Sequence, residues 1–505
     1  VQGIAQRGND ETKDSENRGN FLELLQLISK NNPIVENKLK EGPKNAKYTH
    51  PSIQNEILNV LASATLEVVS KQINSAVYFS IMADETKDVS KTEQLSVIVR
   101  FYLNDKVHER FLGFRPANLL DATSLLTYIK ETLSKCSINM QNCIAQTYDG
   151  ANVMKGSVSG VQTLFRKDVP QAIYTHCVNH RLNLVIVDVC KNIESANSFF
   201  SLLQKLYVFM SGSATHSLFI NVQYEMRKSV IELKALSETR WICQAATCEA
   251  MKKTLPAIIV TLHRLAEDRG RGDRSQEAYG LLNSIDMEFL CHLCIFSALL
   301  KDIKMVSDVL QSKDCDIGTA YTFIESTIDR LKILRNSRED FRKIWLEALL
   351  LKEENGIQDS RRGRSRRLPE HLEKFVYVQH CHKEKLELED DYYAHAFLPI
   401  LDKILNELER RFSEHSTIIK GMKCLQPGSK NFLDLKQLRP LVQHYGCDEQ
   451  SVEAEVKLIP KTIERYENEH DVTIDNILKF VNFLHEYKLA FHEIHKLSII
   501  SIVTP

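Results

Sequence analysis

The sequence predicts an α/β sheet domain joined to a large all-α segment. Three observations carry this. Residues 77–83 form a short, mostly apolar run, the pattern of a strand covered on both faces. Residues 94–114 hold two further strand-like runs around an Asn104-Asp105 turn. From about 195 to 470 the apolar spacing is almost wholly that of helices.

Residues 1–20 are polar and read as a disordered N-terminal segment. Helices fill 21–74. One carries Phe21, Leu24, Leu25 and Ile28 on a face; the next opens after Pro51 and carries Ile53, Ile57, Leu61, Ala64 and Val68. The first strand, Val77 to Ala83, ends in Asp84-Glu85-Thr86. Gln94 to Leu103 and Val107 to Phe114 read as a hairpin. Asp121 suits a helix N-cap, followed by a stripe of Leu125, Leu126, Ile129 and Leu133. Cys143 to Thr147 reads as a fourth strand, stopped by Tyr148-Asp149-Gly150. Ile173 to Cys177 reads as a fifth, before a helix from about His180 to Cys190.

Three strands, a helix, a strand, a helix, a strand and a helix make the element order of a ribonuclease H-like fold, here over 75–194. A helical insertion domain is expected over 195–470, with Leu401, Ile404, Leu405, Leu408 and Phe412 as its clearest stripe. Charge and glycine content mark 266–276 and 355–371 as exposed loops. A C-terminal helical segment, 471–505, carries Ile474, Ile477, Leu478, Val481 and Leu484, a stripe suited to packing against a partner copy.

At 505 residues and 43% hydrophobic composition, the chain is long enough for about two to four domains. A formal net charge of -1 gives no global field for nucleic acid, so any such binding must use local basic patches. No apolar run reaches the roughly 18–20 residues of a membrane-spanning helix, and no membrane partner is expected. The 12 cysteines are scattered without paired spacing, which fits reduced thiols in the cytosol or nucleus.

Asp84 and Asp149 are the central candidates. Each stands at the end of an apolar strand, and a crossover can bring those strands side by side. Two carboxylates there would repel unless a cation lay between them, and Mg²⁺ (or Mn²⁺) suits such oxygen donors. On spacing alone, turn or cap roles account for both aspartates as well. Glu85 and Asp88 are understudies for the metal or plain loop residues. Arg361, Arg362, Arg364, Arg366 and Arg367 form the densest basic cluster. They read as a DNA-contacting loop, a nuclear localisation signal or a solvated loop, and the acidic stretch Glu387 to Asp391 weakens the first reading. Cys177 with His180, Cys291-His292-Leu293-Cys294 and His380-Cys381-His382 each lack a second ligand pair at zinc spacing nearby.

The segments YFSIMADETKDVSKTEQLSVIVRFYL, TYDGANVMKGSVSGVQTLF, HCVNHRLNL, SETRWICQAA and YYAHAFLPILDKILNELERRF occur in this order. Together they resemble the transposase-like domain of the hAT superfamily, including its zinc-finger MYM-type and THAP-domain relatives, over about residues 20–505. The resemblance implies metal-dependent DNA cleavage and strand transfer at transposon ends. It assigns Asp84 and Asp149 to the first two positions of an Asp-Asp-Glu triad, and Cys177 and His180 to the Cys-x-x-His motif. Thr239, Arg240 and Trp241 match the Thr-Arg-Trp motif, which lies close to DNA in the family. There Arg240 would meet phosphate and Trp241 would stack on a base, or else anchor the insertion core.

The family's third acid, a glutamate, follows a Val-Thr-Pro-like turn, and this sequence stops at Ile502-Val503-Thr504-Pro505. Glu486 and Glu493 have only position in favour of replacing it. The expectation is therefore a truncated or domesticated transposase, a nuclear DNA-binding protein that self-associates as a homo-oligomer and is inactive as given. The alternative is a non-catalytic nuclear DNA-binding or protein-interaction scaffold.

Overall fold

The computed structural model describes residues 5–12, 14–43, 46–236, 241–268, 272–312, 315–358, 388–412 and 417–505. The chain divides into two compact units, Val1–Val77 with Lys130–Met140, and Tyr78–Ile129 with Gln141–Pro505.

The first unit holds α1 (Asn20–Ser29), α2 (Pro33–Lys40) and α3 (Pro51–Ala76). Each of the last two starts on a proline, whose missing N–H costs nothing in a first turn. Asn32 caps α2 through its side chain, accepting from Ile34 and Val35. The His50 ring caps α3, accepting from the Ser52 N–H. Neither α1 nor α2 buries a residue, and α3 buries only Gln54, Val69 and Ile73.

The second unit opens with β1 (Phe79–Lys87), β2 (Glu93–Leu103) and β3 (Lys106–Pro116). After these come α4 (Ala122–Lys135, which crosses into the first unit), β4 (Cys143–Tyr148), α5 (Asn152–Lys155), α6 (Val161–Asp168), β5 (Ile173–His176) and α7 (Val178–Asn192). The sheet order is β3-β2-β1-β4-β5. β1, β2 and β3 are antiparallel neighbours, whereas β4 runs parallel to both β1 and β5. The expected strands are all present. One differs in length: β1 continues through Asp84 to Lys87, because Asp84 to Lys87 pair with Ser96 to Glu93 and the ladder carries the polar residues along.

Helices follow: α8 (Glu194–Ser211), α9 (Ser213–Glu225), α10 (Trp241–Glu267), α11 (Gly272–Ser284), α12 (Met287–Leu310), α13 (Ile317–Asn336) and α14 (Arg338–Glu354). α15 (Glu389–Tyr392) runs through a π-helical turn, Tyr393–Phe397, into α16 (Leu398–Phe412). The chain continues as α17 (Thr417–Lys423), α18 (Leu435–His444), α19 (Glu449–His470), α20 (Ile477–Glu486) and α21 (His492–Val503). Leu401, Ile404, Leu405, Leu408 and Phe412 are buried in one core with Ile144, Ala145 and Ile173 of the sheet. That core also takes Ile474, Ile477, Val481 and Leu484, so the C-terminal stripe is used within the chain.

Polar contacts fix the end of α21 against the sheet. Ser80 Oγ donates to the Val503 carbonyl at 2.6 Å. Arg100, opposite Ser80 across β1 and β2, donates through Nε and Nη2 to the Ile502 carbonyl. These are two of the carbonyls a helix C-terminus leaves unpaired.

Candidate functional site

The site begins with strand register. Alternation puts Ser80, Met82 and Asp84 on one face of β1, and Phe79, Ile81 and Ala83 on the other. The last paired residues of β1 and β4 are Met82 and Thr147, and Asp84 and Asp149 each stand two residues further on. The two aspartates therefore stand at the same end of neighbouring parallel strands.

Their surroundings differ. Asp84 is exposed and lies inside β1, where its carbonyl accepts from Ser96 Oγ at 3.0 Å. Asp149 is half-buried, and its Oδ1 accepts from the Ala151 N–H at 3.1 Å, closing the loop into α5. The turn role that spacing suggested for Asp149 is thus real, and it also fixes the carboxylate. Tyr174 donates its hydroxyl to the Asp149 carbonyl at 3.3 Å.

Negative charge gathers here. Burial pushes the Glu85 carboxyl above its ordinary value, and the charges of Asp149, Glu93 and Asp84 push it the same way. Burial likewise raises the Cys177 thiol, against the pull of the Asn179 and His180 backbone N–H groups; Asp84 and Asp149 add to the rise. Cys177 caps the start of α7, and its N–H donates to the Tyr148 carbonyl at 2.9 Å, continuing the β4–β5 ladder. Cys177 and His180 thus sit at the β5–α7 junction, within electrostatic reach of both aspartates in the case of Cys177.

Two residues that sequence reasoning missed shape the loop. A Cβ on Gly150 would lie 2.6 Å from Cε1 of His176, so the His176 ring occupies the space any other residue would need. His176 pairs with Tyr148 across β4 and β5, and its ring lies 5.4 Å from that of His180. Burial lowers its pKa to about 3, aided by Arg181, His180, Lys155 and Arg411, so the ring is neutral. Its Nε2 is buried with no hydrogen-bond partner. The adjacency of His176 to Cys177 was the available signal, but the contact with Gly150 spans two strands.

The remaining candidates separate from this cluster. Asp88 organises the β1–β2 turn, accepting from Ser90 Oγ, the Thr92 N–H and Gln94 Nε2. Cys291, His292 and Cys294 are buried in α12, where His292 Nδ1 lies 2.8 Å from the Glu288 carbonyl. Glu486 accepts from the Tyr466 hydroxyl at 2.9 Å. Glu493 lies in the first turn of α21, at the opposite end from Val503. Among the described residues no group of three or more His, Cys, Asp or Glu is arranged to hold a metal ion. Trp241 opens α10, but its side chain is outside the described residues, as are Thr239, Arg240, Arg361, Arg362, Arg364, Arg366, Arg367 and the His380-Cys381-His382 segment. No described helix is long and apolar enough to cross a membrane.

Residues 1–160 match the family profile described as ZMYM1/FAM200, RNase-like domain. The chain is also similar to the 52 kDa repressor of the inhibitor of the protein kinase from Homo sapiens. Identity there is 24% over 429 residues, covering 80% of this chain and 53% of the relative. The Mus musculus protein of the same description is 24% identical over 427 residues, covering 80% and 54%. The chain thus spans about half the length of the curated relatives it matches.

Proposed function

We propose that this chain is a nuclear, DNA-binding protein derived from a hAT transposase, and that Asp84 and Asp149 are two acids of its ancestral phosphodiester site on a ribonuclease H-like sheet. The observation that carries this reading is that each aspartate stands two residues beyond the last pair, Met82 and Thr147, of the parallel strands β1 and β4. The strand order and the RNase-like family profile support it.

The donor set fits a hard divalent cation. Two carboxylates at one end of neighbouring strands supply oxygen ligands, beside Glu85, whose carboxyl is raised by burial first and then by the charges of Asp149, Glu93 and Asp84. Asp84 and Asp149 would hold Mg²⁺ or Mn²⁺, which when bound supplies Lewis-acid polarisation of a phosphodiester and a more acidic water. The chain's own part is positioning. Ala151 holds the Asp149 carboxylate by its N–H, Tyr174 holds the same residue's carbonyl, and His176 braces Gly150 from behind. DNA, at transposon ends or genomic sites, would be gripped by Arg240, Trp241 and the basic cluster Arg361 to Arg367.

The test is calorimetric titration of Mg²⁺ and Mn²⁺ into the chain and into an Asp84→Asn/Asp149→Asn double variant of unchanged melting temperature. Binding that vanishes in the variant is expected. Equal behaviour of the two proteins would remove the metal site. A second reading, a non-catalytic regulatory scaffold, draws on the similarity to the repressor relatives over 80% of the chain. It expects duplex DNA binding, measured by fluorescence anisotropy, that the double variant and added metal leave unchanged.

A further inference from the structure

We propose that Val89 and Val158 are two fixed apolar tips that enter the base stack of duplex DNA near the phosphodiester held at Asp84 and Asp149. This rests on the reading of that pair as a phosphodiester site. Exposed aliphatic residues scattered singly need no explanation. These two differ in place and in support. β1 and β4 are parallel, so the segments that leave their carboxyl ends share one edge of the sheet. Val89 lies in the β1–β2 turn, and Val158 in the loop between α5 and α6. Val89 is fully exposed and Val158 is 83% exposed. Each tip is held. Asp88 closes the first turn, accepting from the Ser90 hydroxyl and the Thr92 N–H, while its own N–H donates to the Thr92 carbonyl at 3.0 Å. The second loop closes on itself. The Gly160 N–H donates to the Gly156 carbonyl at 3.1 Å, and a Cβ on Gly160 would collide with the Gly156 backbone. The same carbonyl accepts from Thr163 Oγ1 at 2.7 Å and from Gln162 Nε2 at 3.2 Å. Gln146 of β4 in turn donates to the Gln162 carbonyl at 3.1 Å, which ties the loop to the strand that leads to Asp149. A tip ordered beforehand loses little entropy on binding, and a β-branched side chain is itself stiff.

Charge says what fits. Between Asp149 and Asp168 the chain carries Lys155, Arg166 and Lys167 and no acid, and all three cations are exposed. Lys155 lies near the aspartate turn: His176, kept neutral by burial first, also feels the Lys155 charge, and its ring packs on Gly150. Exposed Lys91 flanks Val89. Cations beside apolar tips match a polyanion with an apolar interior, phosphates outside and stacked bases within. A protein partner fits poorly, because two separate valines offer no contiguous apolar patch for it to bury. β1 runs three residues past Asp84, about 10 Å, before its turn, and α5 adds about 6 Å after the Asp149 turn. At about 3.4 Å per base step, the tips reach steps roughly two to five away from the phosphodiester. An aliphatic wedge unstacks its step and kinks the duplex, so this surface favours DNA that is already easy to unstack.

Fluorescence anisotropy in EDTA reads binding of the full chain to a duplex of about 30 base pairs, intact or with a central mismatch, independently of any metal. The wild-type chain is expected to bind the mismatched duplex about fivefold more tightly or better. Val89→Ser and Val158→Ser should each remove most of that preference at an unchanged melting temperature. Lys155→Gln should weaken both duplexes alike and reduce the salt slope by about 0.9. Leu489→Ser, on the α20–α21 turn at 97% exposure, should change nothing. Absence of binding, equal affinity for the two duplexes, or a preference that survives both serine changes would overturn the proposal. Metal titration of the Asp84→Asn/Asp149→Asn variant tests the acid pair separately. A failed metal site with the mismatch preference intact would overturn that reading and not the wedge.

Discussion

Arg100 donates two hydrogen bonds to the carbonyl of Ile502, 402 residues away in sequence, at 3.2 and 3.1 Å. The same guanidinium reaches the Cys315 carbonyl at 2.8 Å and Glu109 at 2.9 Å, and the residue is only 2% exposed. One side chain of β2 thereby joins the sheet to the entry of α13 and to the end of α21. Replacing it by methionine keeps the stem but removes the donor from the buried Ile502 carbonyl and the part-buried Cys315 carbonyl. We expect Arg100→Met to destabilise the chain by about 3 kcal/mol in urea unfolding. Arg100→Lys keeps the charge but offers a single donor point, and should recover less than half of the loss.

Gly150 and His176 make a sharper test of the site's shape. Gly150→Ala places a methyl group 2.6 Å from Cε1 of His176, so ring or loop must shift, at about 1–3 kcal/mol. His176→Ala vacates that space. The double variant should therefore be more stable than the sum of the two single changes, by about 1 kcal/mol or more in a double-mutant cycle. Additive effects would mean that the ring does not brace the loop.

These two examples mark what the sequence could and could not disclose. Strand positions were legible, because apolar runs and the Asn104-Asp105 turn are local signals, and Asp84 and Asp149 stood out at their ends. The full length of β1 was not, since its polar end is held by pairing with β2 and not by its own composition. Arg100 read as an ordinary strand residue, although its partners come from residues 315 and 502. Likewise the Ile474 to Leu484 stripe looked like a partner surface, because periodicity gives a face and not what covers it. The α3 stripe likewise gave a helical period and not its surroundings, and Ile57, Leu61 and Val68 are exposed.

Val77 carries a local strain. It is a β-branched residue at φ 69°, ψ -58°, immediately after α3 and half-exposed. A left-handed backbone crowds Cβ against the neighbouring carbonyl, and branching makes this worse. Val77→Gly removes the clash with no buried contact at stake. A gain of about 1 kcal/mol is expected, even after the added entropy of the unfolded chain. The measurement is the denaturation midpoint, and a loss of stability would show that the Val77 side chain is covered in solution.

Glu407 ties α16 to α7 through charge, and makes the pH dependence of stability predictable. Burial acts to raise its pKa, but hydrogen bonds from Arg410 and Lys403 outweigh this and hold it at about 2. Arg411 lies 3.3 Å from the same carboxylate and also pairs with Asp188 of α7. A carboxyl depressed below its ordinary value of 4.5 binds protons more readily in the unfolded chain. Its stabilising effect is therefore complete above about pH 4.5 and is lost as pH falls toward 2. Glu407→Gln removes the charge and should lower the melting temperature at pH 6. It should also flatten the part of the melting curve's pH dependence between pH 4.5 and 2 that the wild-type chain shows. Parallel curves for the two proteins across that window would mean that the network is open in solution and that Arg410 and Arg411 are solvated instead.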